Sequence, residues 1–577
     1  MTQQLPPDAF EPPFAPDTYS EEETWRVAPF FTNLNKSVYA ALISSPEVIG
    51  ALCSRTSRAA DDLRKIFLNE YLAPFLANTT ADDLPADLAG DSKKYGETLK
   101  EFIAFLHKHP TEEIFSNPKA RSFYTKWLAQ YGDDSIAQMA GMHVVFSSLS
   151  QLAIKHIEDQ RIGLAPIEKS TRYVDYSKKV NNSYRYYTDP TLEEMGLTED
   201  YRGAMDQLFE TYTALIPQIS AWLTEKFPEE SPSVIEKKAF DTVRGLLPVS
   251  CLSQVAFFGN GQAFEYLMSR SLKHQLGEVR WAANATYEEI YKIAPSFLRR
   301  VKDDGNKEKA AEYQQYISGK TERVSKHVPK ELHNASLFAG QAESKAAVTL
   351  VEYDLNGEDK IITGILYNAD TNTASWEATL SAVQKMSERE KREILSTYLE
   401  GRTQRWQKVG RAFENAYVRF DISMNIGAWR DLHRHRVLTQ QRQLFTTKHG
   451  FDTPPELIDA KLDAPYRAAM ERAAQVYEKI AAVNSTIAQY AVPMAYRVRF
   501  MQLKNIRQCF WEMELRTIPE GHPDYRHIEQ EKFRQLQAVY PLITEHMRVN
   551  MGEYDFARRG QEEKIQQKLA QLEKMKV

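Results

Sequence analysis

The chain has 577 residues, too many for one hydrophobic core, so two or more domains are expected. Its apolar fraction of 42% and charged fraction of 26% are those of a soluble globular protein, and a net charge of −5 gives no overall pull toward nucleic acid or anionic membrane, so any anion site must be local. Cys53, Cys251 and Cys509 are far apart and form no C-x-x-C pair, which excludes a disulfide framework or a cysteine zinc site and fits a reducing cytoplasm.

Met1 to Tyr19 is rich in Pro, Asp and Phe and lacks the basic start and apolar core of a secretory signal. Residues 1–35 read as an arm, flexible or hugging the surface. From Ala59 to Leu68 apolar residues recur at helical spacing, and the same spacing predicts a helix over Ser135–Glu158. Within it, Ile136–Ile154 is the most apolar stretch, but Gln138, His143, Gln151 and three serines make it a buried helix, not a membrane span. Glu193–Phe227 reads as one or two helices ending near Pro228. The charged run Lys302–Lys309 marks a composition break, and residues 302–333 suit a linker or a solvated helix. Beyond it, 346–353 and 361–367 read as short β-branched strands, with Asn356-Gly357 between them as a hairpin turn. A helix is expected over Glu388–Gln407. The terminal stripe Ile565, Leu569, Leu572 suits a docking or fraying helix.

A weak repeat runs through this order. Tyr131-Gly132-Asp133-Asp134-Ser135, an apolar stretch and Gln160-Arg161 are matched by Gly410-Arg411-Ala412-Phe413-Glu414, another apolar stretch and His435-Arg436. Arg244, Pro248 and Met268-Ser269-Arg270 are matched by Gln489, Pro493 and Glu514-Leu515-Arg516. The pattern implies a duplicated domain, with an insertion in the first copy before Arg244.

Two segments carry the chemistry. Trp429-Arg430-Asp431-Leu432-His433-Arg434-His435-Arg436 is dense in groups that bind phosphate or a charged cofactor. Glu168-Lys169-Ser170-Thr171-Arg172-Tyr173 offers a carboxylate, a hydroxyl and a guanidinium at alternate positions, which share one face in an extended segment. Taken alone, each has plainer readings: a salt-bridged surface strand for the first, an exposed loop for the second. His433 and His435 at i, i+2 have no third ligand signalled nearby, so no metal is expected. The absence of interleaved base-stacking aromatics argues against nucleic acid.

Both halves resemble the flavin-dependent thymidylate synthase family, whose signature is an Arg-His-Arg opening a longer run, R-H-R-x-x-S-x-N-E-x-S-x-R-Y. The resemblance covers most of residues 50–300 and 405–550 and is strong only at the motifs. Neither half keeps the whole signature. The first keeps Glu168, Ser170, Arg172 and Tyr173, while its Arg-His-Arg has become Asp159-Gln160-Arg161. The second keeps Arg434, His435 and Arg436 and has Thr439, Arg442, Leu444 and Thr446 further along the run. Asn505 and Arg507 match the family's flavin-contacting Asn-x-Arg, with Gly259 and Gly261 taken as their first-half counterparts.

The resemblance implies an α+β fold of two tandem domains, each a mixed sheet flanked by long helices, forming a pseudo-dimer. The expected boundaries are an arm at 1–35, a first domain at 36–301, a linker at 302–333 and a second domain at 334–577. It implies FAD as cofactor, with dUMP, methylenetetrahydrofolate and NADPH as the reacting set, and a chain that methylates dUMP to dTMP at one composite site. Two such chains would pair as a homodimer, a pseudo-tetramer. Ser170, Arg172 and Arg434 would be the catalytic residues. Glu168, Ser170, Arg172, Arg244, Arg434 and Arg516 would hold the nucleotide. Arg434, His435, Arg436, Asn505, Arg507, His274 and Glu414 would hold the flavin. The rival expectations are an inactive nucleotide- or flavin-binding homologue, or a flavin enzyme acting on another nucleotide.

Overall fold

A computed structural model describes residues 5–76, 92–110, 113, 117–131, 135–302, 307–329, 332 and 347–556. The expectations for Gly132–Asp134, for Asp303–Asn306 and for the terminal stripe at 565–572 fall outside these residues.

Two compact units emerge, and neither is continuous in the chain. The first comprises 1–213, 247–335 and 472–491; the second comprises 214–246, 336–471 and 492–577. Each holds one four-stranded sheet. In the first unit β1 (Val38–Ala41), β2 (Gly141–Ser150), β3 (Leu164–Glu168) and β4 (Leu252–Asn260) lie in the order β1-β2-β4-β3. In the second, β5 (Ala347–Tyr353), β6 (Tyr417–Asn425), β7 (Thr439–Arg442) and β8 (Arg497–Asn505) lie in the order β5-β6-β8-β7. The shared order is the duplicated α+β unit expected from the repeat. The expected mixed sheet is corrected: every ladder pairs antiparallel.

One device recurs at the end of each central strand. The last strand residue is also the N-cap of the next helix, so strand and helix join without a loop. Ser150, Asn260, Asn425 and Asn505 end their strands, and their side chains accept from the N–H groups of Ala153, Ala263, Ala428 and Gln508. Short oxygen-bearing side chains are favoured there because they satisfy a helix-terminal donor, worth about 1 kcal/mol each. The helices so opened are α1 (Gln151–Glu158), α2 (Gly261–Ser271), α4 (Ile426–His433) and α5 (Ile506–Arg516). A further helix closes each copy, α3 (Gly277–Ile293) and α6 (Pro523–Val539). Near its start each carries an acid that serves the earlier junction. Glu278 accepts from Ser150 N–H at 2.7 Å and Ser150 Oγ–H at 2.6 Å. Asp524 accepts from Asn425 Nδ2 at 2.6 Å.

This register also corrects the match between copies. Asn260 and Gln262, not Gly259 and Gly261, stand where the second copy has Asn505 and Arg507.

Three other expectations give way. Ser135–Glu158 is not one helix but Ser135–Gln138, strand β2 and α1. Its apolar run is continuous, so periodicity alone does not separate a buried strand from a buried helix; Val144, Val145 and the Ser150 cap decide it. Residues 361–367 belong to a helix, Gly357–Tyr367, in which Ile361, Ile362, Thr363 and Gly364 are buried. Glu358 ties that helix down by accepting from the N–H groups of Leu542 and Ile543, so packing overrides β-branched propensity. The helix from Glu388 stops at Tyr398, and the chain turns at Gly401 (φ +76°). The long helix Thr198–Lys226 and the charged helices Lys307–Ser318 and Lys320–Ser325 agree with the sequence. The arm hugs the first unit, with Phe10 buried and its carbonyl accepting from Tyr187 Oη at 3.3 Å. Among the described residues no helix is long and apolar enough to cross a membrane.

Candidate functional site in the second unit

Helix α4 delivers Arg434 as its C-cap residue, and the chain turns there to bury His435. A helix C-terminus favours cations because its carbonyls carry partial negative charge, and Arg430, His433 and Arg434 gather there. Helix α5 supplies the facing wall through Arg507, Gln508, Trp511, Glu512 and Arg516. Arg516 Nε donates to His435 Nε2 at 2.9 Å, and Gln508 Nε2 lies 3.2 Å from His435 Nδ1. A guanidinium can only donate, so Nε2 is the acceptor and the ring is neutral. Burial is the main reason: it pushes the imidazole down to about 3, against the upward pull of Glu512 and with help from Arg516, Lys504 and Lys532.

Beneath this histidine lies a buried ionic network. Lys504 pairs with Glu512 at 2.9 Å; Lys532 pairs with Glu512 at 3.3 Å and with Glu529 at 2.6 Å. Gln502 Oε1 accepts from both lysines. All four charged side chains are fully buried. Burial opposes ionisation of Glu512, but the two ammoniums prevail and hold it well below the usual carboxylate range. The corresponding positions of the first unit carry Phe257, Gly259, Leu267, Ala283 and Thr286, so the network belongs to one copy alone. Sequence reasoning missed it, since Lys504 and Lys532 are far apart in the chain and nothing local marks either as buried.

Above His435 opens a cavity of about 390 Å³ whose lining includes Arg434, Arg436, Asn505, Arg507, Lys408 and Trp511. Arg402 and Arg405 also reach it, and Glu414 is its one carboxylate. Glu414 accepts from Arg507 and, at 3.4 Å, from Arg411. Arg402 pairs with Glu514 at 2.6 Å. The Lys408 ammonium sits 3.2 Å over the centre of the Trp511 ring. Burial, then the charges of Arg507 and Arg405, push Lys408 below the usual lysine range. Six cationic side chains against one acid, beside an indole face, make a place for a polyanion carrying a planar ring. That donor set suits a phosphorylated cofactor, and Arg434, Arg436, Asn505 and Arg507 border the space that would hold it.

Arg244 also lies in the second unit, although it comes from the first half of the sequence. It is buried, and a Cβ added at Gly427 would meet its Nε at 3.6 Å. Its charge opposes the burial and the Asp452 charge that raise Asp524. Its second-half counterpart, Gln489, lies in the first unit and donates to Thr486 O at 3.1 Å.

The remaining sequence-derived residues are in the first unit. Glu168 closes β3, buried, and accepts from Lys155 Nζ at 2.9 Å; the same ammonium pairs with Glu158 at 2.6 Å. The extended run expected through Arg172 stops at Glu168: Ser170 Oγ accepts from Arg172 N–H at 3.2 Å and Val174 N–H donates to Ser170 O, so alternation does not set the face of Arg172. Ser170 N–H donates to Ser57 O at 2.9 Å. Lys169 donates to the carbonyls of Ala60 and Asp61, and burial pushes it down to about 8. His274 Nδ1 accepts from Leu276 N–H, and its ring lies 4.3 Å from that of His156. Arg270 and Arg516, matched in the sequence, are not counterparts in this register, which sets Ser271 opposite Arg516: Arg270 braces the end of α1 through the carbonyls of His156 and Ile157, whereas Arg516 holds His435.

Comparison with known proteins supplies the family. The family described as thymidylate synthase complementing protein matches twice, over residues 93–296 and 349–542. A UPF0159 protein of Chlamydia muridarum is 35% identical over 94% of this chain and 98% of its own length. Another, of Chlamydia pneumoniae, is 34% identical over 92% and 95%, and one of Thermoplasma acidophilum is 28% identical over 88% and 96%. With one family segment in each half and the same sheet order repeated, this chain belongs to the thymidylate synthase complementing protein family as a tandem member.

Proposed function

We propose that the chain is a flavin-dependent thymidylate synthase that converts dUMP to dTMP with methylenetetrahydrofolate and NADPH. The observation that carries this reading is the second unit's cavity, where Arg434, Arg436, Asn505, Arg507 and Glu414 converge over a neutral His435. Bound there, FAD would supply the hydride that completes the methyl group. Arg434 and Arg507 would neutralise the cofactor's phosphates and favour a reduced, anionic ring. His435, held between Gln508 and Arg516, would orient Arg516 toward a nucleotide. Arg244 would add a phosphate fork from the same unit. Ser170 and Arg172 would serve the nucleotide in the same reaction, and Glu168, already committed to Lys155, would position the backbone beside them. His274 would stand on the flavin side.

Purified protein should carry one flavin per chain and oxidise NADPH faster when dUMP and methylenetetrahydrofolate are both present, yielding dTMP. Arg172→Ala and Arg434→Ala should each abolish dTMP formation, while Arg161→Ala should keep most of it. Bound flavin with no nucleotide response would favour the inactive homologue, and equal loss in all three variants would reject the division of roles.

A further inference from the structure

The first unit holds a second cationic cavity, about 760 Å³; of the residues given roles above, His274 lies in its lining. Its walls are the arm at Leu5–Phe10, the loop at Lys273, and Arg280, Asn284 and Lys302. Among the described residues, Lys273, Arg280 and Lys302 form no salt bridge. Lys302 Nζ donates to Asn284 Oδ1 at 2.8 Å and lies 4.2 Å from the centre of the Tyr287 ring. Burial pushes Lys302 below the usual lysine range, with Glu288 offsetting part of the effect. Arg280 donates to the carbonyls of His274 and Gln275, and its guanidinium lies 5.1 Å from the centre of the Phe10 ring. Asp189 is near enough to feel Arg280, and Glu194 is the one acid in the lining. Three cations, Lys302 among them partly dehydrated, face one acid across open space, an arrangement that a polyanion would neutralise.

The second copy shows the same place filled. Arg526 and Gln530 stand there at the positions of Arg280 and Asn284. Arg526 donates to Gly552 O at 2.6 Å and lies 4.7 Å from the Tyr554 ring centre; Gln530 donates to Asn550 O at 2.9 Å. In both units backbone oxygens and an aromatic ring meet these donors, but in the first unit Arg280 and Asn284 also border a cavity of the size that holds a small metabolite.

We propose that the cavity bounded by the arm and by Lys273, Arg280 and Lys302 binds a small polyphosphate, of nucleoside di- or triphosphate class, independently of the arginine-lined cavity of the second unit. Lys273 and Lys302 grip the phosphates, and the arm forms one wall.

The test is calorimetric titration of the full chain with inorganic tripolyphosphate, in an Arg434→Ala/Arg507→Ala background that silences the other cavity. A binding event should persist there. It should weaken by about tenfold or more when Lys273→Gln and Lys302→Gln are added, and recover with Lys→Arg at both positions, the thermal melt staying unchanged. No heat in the arginine-deleted background, or equal affinity with and without the two glutamines, would overturn the proposal. Flavin content does not enter this readout, so its result stands apart from that of the proposed function.

Discussion

His435 is the residue whose chemistry is set most completely by its surroundings. Its imidazole is pushed down to about 3 from an ordinary value of 6.5, so the fold excludes the protonated ring. That contribution to stability is complete above pH 6.5 and is lost as pH falls toward 3. His435→Gln should therefore flatten the acid side of the stability curve. Between pH 6 and 4 the unfolding free energy of the parent should fall more steeply, by up to about 1.4 kcal/mol per pH unit, than that of the variant. Equal slopes in urea titrations would refute it. The lysine–glutamate network below gives a second, larger effect. Lys532→Met leaves Glu529 buried without its 2.6 Å partner and should cost about 3–5 kcal/mol. Lys532→Met combined with Glu529→Leu should recover much of that in the same unfolding assay; a double variant as unstable as the single one would contradict it. Arg434, Asn505 and Arg507 were legible in the sequence because they stand in motifs with fixed spacing. Gln508, Glu512, Lys504 and Lys532 were not, because strand pairing and helix packing bring them together.

At the scale of elements, the four loopless strand-to-helix joints position the site. Asn505 ends β8 and starts α5, which fixes where Arg507 and Trp511 project. Asn425 does the same for Arg434 and also donates to Asp452 at 2.9 Å and Asp524 at 2.6 Å. Asn425→Ala should thus cost about 2 kcal/mol or more, against about 1 kcal/mol for Asn505→Ala. Chemical denaturation of the two variants checks the order, and a cheaper loss at Asn425 would show that its two carboxylate bonds contribute nothing. Strand β5 and the helix Thr198–Lys226 could be read in advance because each has clear boundaries and a consistent pattern. The helix Gly357–Tyr367 could not, since its β-branched run is helical only through the burial of Ile361 and Ile362 and the anchoring of Glu358. The turn after Glu168 escaped notice for a related reason. Ser170 bonds locally to the backbone, and the charged and polar pattern around it is equally compatible with a strand.

For the molecule as a whole, the duplication was visible only at a few landmarks, yet the two sheets repeat the same strand order. What has diverged is chemistry, not architecture. One copy holds a buried ionic network and an arginine-lined cavity; the other holds uncharged residues at the network positions, a buried Lys155 between two glutamates, and a cavity against the arm. The discontinuity of the units has a consequence for how such a chain can be dismantled. The first unit includes residues 472–491, and there Tyr490 donates its hydroxyl to Glu278 at 2.7 Å, the same carboxylate that secures the Ser150 junction. A gene truncated after the first repeat would deliver that acid, whose carboxyl burial lifts to about 7, stripped of one of its donors. The fusion is therefore hard to reverse: each repeat has given up self-sufficiency, and either half made alone begins life missing a piece of its own interior.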